Sequence, residues 1–284
     1  MKGYELLDSG EGRKLERFGE LILDRPAAQA VWQKQKVALW NTAHARFDRK
    51  EGYLWQGREK LPAHWVMKAA DISMKCQCTD FGHVGVFPET IALWQYIRDH
   101  LQQVRGAKPV RFLNLFAYSG GATLAAAQAG AQCTHLDASK GMVDWARENA
   151  ALNQLQDAPI RWIVDDAIKF LRREVKRGNQ YEAVLLDPPS FGRGRKGELY
   201  KIEEQMNQTL DLVHQLLSDR ARFVILTSHT PGFSPQVLSN LLTDFHANGE
   251  HACGELCLKG SGIYPLPNGN WARWTQASDG EIHA

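Results

Sequence analysis

The stretch that decides the fold is VRFLNLFAYSGGATLAAAQAGAQCTHLDA, residues 110–138. It opens with an apolar burst from Val110 to Phe116, turns at Ser119-Gly120-Gly121, and continues through an alanine-rich segment closed by Gly130. A second apolar run then ends in Asp137. The outer pieces have the length and composition of buried strands, and the middle piece reads as a helix with glycine at each end. Strand, helix and strand in so short a span make a βαβ unit, whose two strands run parallel.

The same alternation continues downstream. "SKGMVDWARENAALN" is a helix with Ser139 at its N-cap, "IRWIVDDA" a third strand and "IKFLRREVKRG" its helix. "YEAVLLDP" is a fourth strand, and "EEQMNQTLDLVHQLLS" a helix after a longer loop. "RFVILTSHT" is a fifth strand, followed by the helix "SPQVLSNLLTDFHANG". "GELCLKG" and "ARWTQA" close the chain as two strands with no helix between them. The pattern predicts an α/β fold with a seven-stranded, mostly parallel, doubly wound sheet whose last strand is antiparallel.

Upstream, "ETIALWQYIRDHLQQV" has helical spacing and links this region to a β-rich beginning. "YELLDSGEGRKLERFGELILDRP" has short apolar bursts between turn residues. "FDRKEGYLWQG" reads as a hairpin around Glu51-Gly52, and "WVMKAADISMKCQCTDFGHVGVFPE" continues the pattern. The expected division is a β-rich N-terminal unit over residues 1–75 and an α/β domain over residues 76–284. No internal repeat or low-complexity segment interrupts either part.

Composition bounds the function. With 284 residues, 44% hydrophobic and 23% charged, the chain has an ordinary globular composition. No run reaches the 18 or so apolar residues of a membrane span, and the start lacks a signal-peptide apolar region. Five cysteines are an odd number without a small-domain framework, which fits a reducing, cytoplasmic compartment. A net charge of +2 announces no polyanion partner but leaves room for a local basic patch.

In such sheets ligands bind beyond the carboxyl ends of the strands. There the first strand carries Asn114 to Gly121, the second Asp137, the third Asp165-Asp166 and the fourth Asp187-Pro188-Pro189. Glycines after the first strand admit a ligand close to the backbone, and the acid after the second suits the two hydroxyls of a ribose. An acid after the third suits an exocyclic adenine amine. The competing reading has each aspartate simply capping the next helix; three in succession favour an adenosine pocket. A dinucleotide site prefers G-x-G-x-x-G, whereas here Gly120-Gly121 follow the bulky Phe116 and Tyr118. That loop suits a zwitterionic amino-acid tail better than a pyrophosphate, so S-adenosylmethionine fits and a nicotinamide cofactor fits less well.

"NLFAYSGGATLAAAQAGA", "THLDASKGMVDWARENAALN", "VDDAIKFL" and "YEAVLLDPPSFGRG" resemble the class I S-adenosylmethionine-dependent methyltransferases with their seven-stranded Rossmann-like sheet. More narrowly, they are similar to bacterial large-subunit ribosomal RNA methyltransferases, a group with cytosine-5 and guanine-7 enzymes. The likeness runs over roughly residues 80–230. It implies that Phe116, Ala117, Tyr118, Ser119 and Gly120, with Asn114, line the methionine and ribose of the cofactor. It implies that Asp137, with Ala138 and Ser139, holds the ribose, that Asp166 and Ala167 hold the adenine, and that Asp187 borders the transferred methyl. "GVFPET" resembles a family segment at the methionine end, implying Phe87 and Glu89; the family's Asp-Gln-Arg pattern is replaced here by Glu89-Thr90. The N-terminal unit does not resemble the PUA-type RNA-binding domain of some relatives.

The stretch "LLDPPSF" then reads as a catalytic corner of Asp187, Pro188, Pro189 and Phe191. Methyl transfer is an in-line displacement, so positioning and desolvation do most of the work. The prolines fix the strand end and remove donors, Asp187 is placed for a nitrogen edge, and Phe191 for stacking on a base. A tight turn with a core phenylalanine is the bland alternative. Carbon-5 methylation of a pyrimidine needs a thiolate after the fifth strand, but "ILTSHT" offers Ser228 and His229 and no cysteine. This points to a purine nitrogen. His229 is read as a structural strand-end residue ahead of a proton acceptor. The C-x-C at Cys76 and C-x3-C at Cys253 do not match zinc-site spacings, so no metal is expected.

RNA is the expected partner, through the loop "GRGRKG" with Arg193, Arg195 and Lys196 free to reach phosphates. Competing readings are a small-molecule or protein methyltransferase on the same fold, a nicotinamide-dependent oxidoreductase, and a catalytically silent RNA-binding module.

Overall fold

A computed structural model describes residues 3–48, 52, 54–104, 106, 108–193, 197, 199–245 and 249–277. They fall into two compact units. The first comprises the described part of Met1–Leu93 with Ala151–Asn153 and Leu256–Asn268, and the second comprises the rest.

In the first unit β1 (Tyr4–Gly10), β2 (Arg13–Phe18), β3 (Leu21–Pro26), β4 (Ala45–Asp48) and β5 (Leu54–Gln56) form one sheet in chain order. Every neighbour pair is antiparallel except β3 and β4. The expected hairpin in "FDRKEGYLWQG" is the β4–β5 pair, although Glu51 lies outside the described residues. A second hairpin pairs β6 (Trp65–Ala69) with β7 (Ile72–Cys76), and its two-residue turn puts Ala70 and Asp71 at φ 46° and 60°. Positive φ at both turn residues matches the right-handed twist of the strands.

This sheet buries an ionic cluster. Glu16 is fully buried and accepts from Arg25 Nε at 2.8 Å, Arg25 Nη2 at 3.0 Å and the Tyr4 hydroxyl at 2.9 Å, with Lys14 Nζ 3.4 Å away. Burial raises the Glu16 pKa, but Arg25 and Lys14 outweigh it and leave the carboxyl below its ordinary range.

The second unit carries α1 (Ile91–Gln103), whose first turn belongs to the first unit. Then come β8 (Arg111–Leu115), α2 (Gly121–Gln128), β9 (Gln132–Asp137), α3 (Lys140–Leu152), β10 (Ile160–Val164), α4 (Ala167–Lys176) and β11 (Ala183–Leu186). They are followed by β12 (Phe191–Arg193), β13 (Leu199–Lys201), α5 (Ile202–Leu216), β14 (Phe223–Ser228), α6 (Pro235–Leu241), β15 (Gly249–Leu258) and β16 (Leu266–Gln276). The seven-stranded sheet has the order β10-β9-β8-β11-β14-β16-β15. The first five of these strands are mutually parallel, and β16 runs antiparallel to β14. Strand order reverses between β8 and β11, the switch point where such sheets open a crevice.

The core explains why these strands read as continuous apolar runs. Leu113, Leu115, Val184, Leu186, Val224 and Leu226 are all fully buried and pack with α4 and α5. Gly121 begins α2 because nothing larger fits: a Cβ there would stand 2.1 Å from the Trp94 ring of α1.

Three regions differ from the sequence expectation. β15 and β16 are longer than predicted, and Leu256–Asn268 at their joined ends belongs to the first unit. α6 stops at Leu241 and gives way to a 3-10 turn at Thr243–Phe245. The segment after Pro189 holds an antiparallel ladder, with Phe191 opposite Lys201 and Arg193 opposite Leu199. Three-residue strands, one of them centred on a glycine, give too short a pattern to read.

Candidate active site

The carboxyl ends of β8 to β11 bring the predicted residues of the second unit to one edge of the sheet. After β8 the backbone turns sharply, with Phe116 at φ 56°, Tyr118 at 50° and Gly120 at 93°. The first two are aromatic residues in the left-handed region, at a cost of roughly 1–2 kcal/mol each. Leu136 of β9 accepts from Ala117 N–H at 2.9 Å, Asp137 Oδ2 from Tyr118 N–H at 2.9 Å, and Ser119 O from Asn149 Nδ2 of α3 at 2.9 Å. Asn114 itself points beneath α2, where its amide donates to Thr123 Oγ1 at 2.9 Å. Thr123 Oγ1 in turn lies 3.0 Å from Nδ1 of the buried His135. Burial pushes that imidazole down to about 3, so it is neutral at physiological pH. The Phe116 ring meets Tyr200 of β13 edge-on at 4.9 Å between centroids, and Tyr118 stands 6.4 Å from Trp145.

The two acids that follow behave differently. Asp137 caps no helix: Oδ2 takes Tyr118 N–H and Oδ1 takes Ser139 N–H at 2.8 Å. Burial holds its pKa above the ordinary carboxylate value, and those two N–H groups oppose the rise only in part. Each oxygen keeps a further lone pair for a hydroxyl donor. Ser139, past Ala138, is the expected N-cap of α3, with Oγ accepting from Met142 N–H at 3.4 Å. Asp166 does cap: Oδ1 accepts from Lys169 N–H at 2.9 Å at the start of α4, next to the buried Ala167. Its neighbour Asp165 pairs with Arg173.

At the end of β11, Asp187 Oδ1 accepts from the Thr227 hydroxyl at 2.5 Å and lies 3.8 Å from His229 Nδ1. The His229 ring rests on backbone, since a Cβ at Gly269 would approach it to 3.0 Å. Ser190 Oγ and Thr230 Oγ1 meet at 2.7 Å, tying the corner to the loop after β14. Pro188 is buried and Pro189 exposed, and a Cβ at Gly192 would meet Pro189 Cγ at 3.1 Å. Phe191 is 54% exposed, which rules out the core-phenylalanine reading. Thr227, Tyr200 and Asn149 were not among the predicted residues. Thr227 had a signal, its place at a strand end, whereas Tyr200 and Asn149 had none.

Phe87 and Glu89 belong to the first unit. There Phe87 packs edge-on to His83 at 5.3 Å between centroids, and buried Glu89 accepts from Asn268 Nδ2 at 2.6 Å. Of the basic loop, Arg193 lies in β12, while Arg195 and Lys196 lie outside the described residues. Burial raises the thiols of Cys133, Cys76 and Cys78, the latter two to about 12 and about 11. Among the described residues no helix is long and apolar enough to cross a membrane.

A central switch point with acids at successive strand ends and a tight glycine turn is the ligand-binding crevice of a doubly wound α/β fold. Residues 44–238 match the S-adenosylmethionine-dependent methyltransferases, and the chain belongs to that family. It superposes on the crystal structure of an S-adenosylmethionine-dependent methyltransferase from Agrobacterium tumefaciens with a TM-score of 0.91. The two are 36% identical, over 97% of this chain and 91% of that one. The chain is also 30% identical over 189 residues to the ribosomal RNA large subunit methyltransferase K/L of Pseudomonas aeruginosa, 66% of this chain and 25% of that protein. To the enzyme of the same name from Syntrophotalea carbinolica it is 41% identical over 158 residues, 55% and 21% of the respective lengths. The chain thus spans about a quarter of the length of these curated relatives. The residues present can take the family's cofactor: both Asp137 oxygens, each holding one N–H, retain acceptor capacity for hydroxyl donors.

Proposed function

We propose that the chain methylates a purine nitrogen in large-subunit ribosomal RNA. The observation that carries this reading is the corner at the end of β11, where a carboxylate held by Thr227 stands beside an exposed phenylalanine. Bound S-adenosylmethionine supplies an electrophilic methyl on a sulfonium. Asp137 accepts from the ribose hydroxyls, Asp166 with Ala167 borders the adenine, and Phe116 to Gly120 frames the methionine, while the buried Asn114, bonded to Thr123 under α2, supports that turn without facing the cofactor. For Phe87 and Glu89 the family resemblance alone speaks.

Asp187 and the carbonyls left bare by Pro188 and Pro189 hold the edge of the target base, while Phe191 stacks on its face. A purine nitrogen presents a lone pair without covalent activation. No cysteine stands at the end of β14, and the Cys133 thiol, at the opposite end of its strand, resists ionisation. Arg193, Arg195 and Lys196 contact RNA phosphates, and the N-terminal β-rich unit, residues 1–75, contributes to substrate binding. The names of the curated relatives support the choice of ribosomal RNA.

The test is methyl transfer from labelled cofactor to ribosomal RNA, to bulk protein and to small-molecule extracts in parallel. Label in RNA that disappears with Asp187→Ala supports the reading. Label in protein or small molecules alone overturns the substrate.

A further inference from the structure

The turn after β8 is held against its own backbone preference. Phe116, Tyr118 and Gly120 are left-handed, and only glycine takes that region freely. Such a backbone persists where its surroundings over-determine it. Two of the ties come from β9, through Leu136 O and Asp137 Oδ2. The third comes from α3, where the fully buried Asn149 donates to Ser119 O at 2.9 Å. Gly120 lies directly on the same helix: a Cβ there would stand 3.0 Å from Ala146 Cβ, one turn before Asn149. Asparagine is a weak helix former, and a buried amide is costly unless bonded; the bond to the loop meets part of that need.

We propose that Asn149 is a positioning residue for the cofactor. By holding the Ser119 carbonyl it fixes the peptide between Ser119 and Gly120, and with it the left-handed residues on either side. This inference rests on the reading of Phe116 to Gly120 as the cofactor loop. Without the clamp Tyr118 relaxes to a right-handed or extended conformation, and only a fraction of molecules presents the binding-competent loop. Apparent affinity falls by that fraction. Once the cofactor is bound the loop is restored, so the chemical step is unchanged.

The experiment measures S-adenosylmethionine affinity by calorimetry, and kcat at saturating cofactor, on the full chain. Asn149→Ala is expected to raise Kd about 10-fold while kcat stays within about 3-fold. Asn149→Ser, too short to reach the carbonyl, gives the same split if the alanine variant folds poorly. In a Tyr118→Gly background the Asn149→Ala factor shrinks to about 2-fold or less, because glycine adopts the required φ without help. An equal factor in both backgrounds, or a fall in kcat at unchanged Kd, overturns the proposal. Asp137→Asn is the control. If it weakens binding and Asn149→Ala does not, the clamp is wrong; if neither weakens binding, the reading of the cofactor loop falls.

Discussion

Asp187 and Asp137 sit at the ends of strands one removed from each other in the sheet, and their partners divide their work. Asp187 is oriented by Thr227 and faces His229, with no loop backbone bonded to its carboxylate oxygens in the described contacts. Asp137 is tied to the backbone of both the turn after β8 and the start of α3. Asp187→Ala is therefore expected to leave cofactor affinity within several-fold and to abolish turnover, measured by calorimetry and by methyl transfer on one preparation. The three acids were legible because strand ends are countable from hydrophobic runs. The left-handed Phe116 and Tyr118 were not, because aromatic residues there contradict their own preference and only the tertiary ties to β9 and α3 impose it.

At the scale of elements, close packing and buried charge set the stability. Gly121→Ala would drive a methyl into the Trp94 ring, and an overpacked contact costs roughly 1–3 kcal/mol. A lowered Tm with far-ultraviolet dichroism otherwise preserved is the expected readout. In the β1–β5 sheet, Glu16→Gln leaves Arg25 and Lys14 buried without their counter-charge, a loss of about 3–5 kcal/mol. Because the folded-state pKa of Glu16 lies below its unfolded value near ~4.3, its stabilisation is present above that value. It is lost as pH falls through the folded pKa. Denaturant unfolding followed from neutral to acid pH should thus show the wild type losing its advantage over Glu16→Gln below about pH 4.3. The alternation of strand and helix made the seven-stranded sheet readable in advance, since buried parallel strands and amphipathic helices have distinct periods. The β12–β13 ladder was not readable because three residues a strand show too few alternations to stand out, and the early end of α6 was not because no glycine or proline marks it in the sequence.

For the molecule as a whole, sequence order does not coincide with the contact units. Leu256–Asn268 joins the first unit although it lies near the end of the chain. A boundary drawn along the sequence cannot express such a return, which is a tertiary fact without a local signal. Replacing Arg193, Arg195 and Lys196 together by alanine should weaken RNA binding and flatten its salt dependence by roughly two units of slope, at about 0.7 per phosphate contact. Methyl-transfer rate at saturating RNA should stay close to wild type. Methylation of a ribosomal purine nitrogen would be read out by mass-spectrometric nucleoside analysis of large-subunit RNA from cells with and without this protein. One methylated purine is expected to disappear with the protein and to return with the wild-type chain but not with Asp187→Ala. Loss of 5-methylcytosine instead, or a nucleoside profile unchanged by removal of the protein, would contradict it.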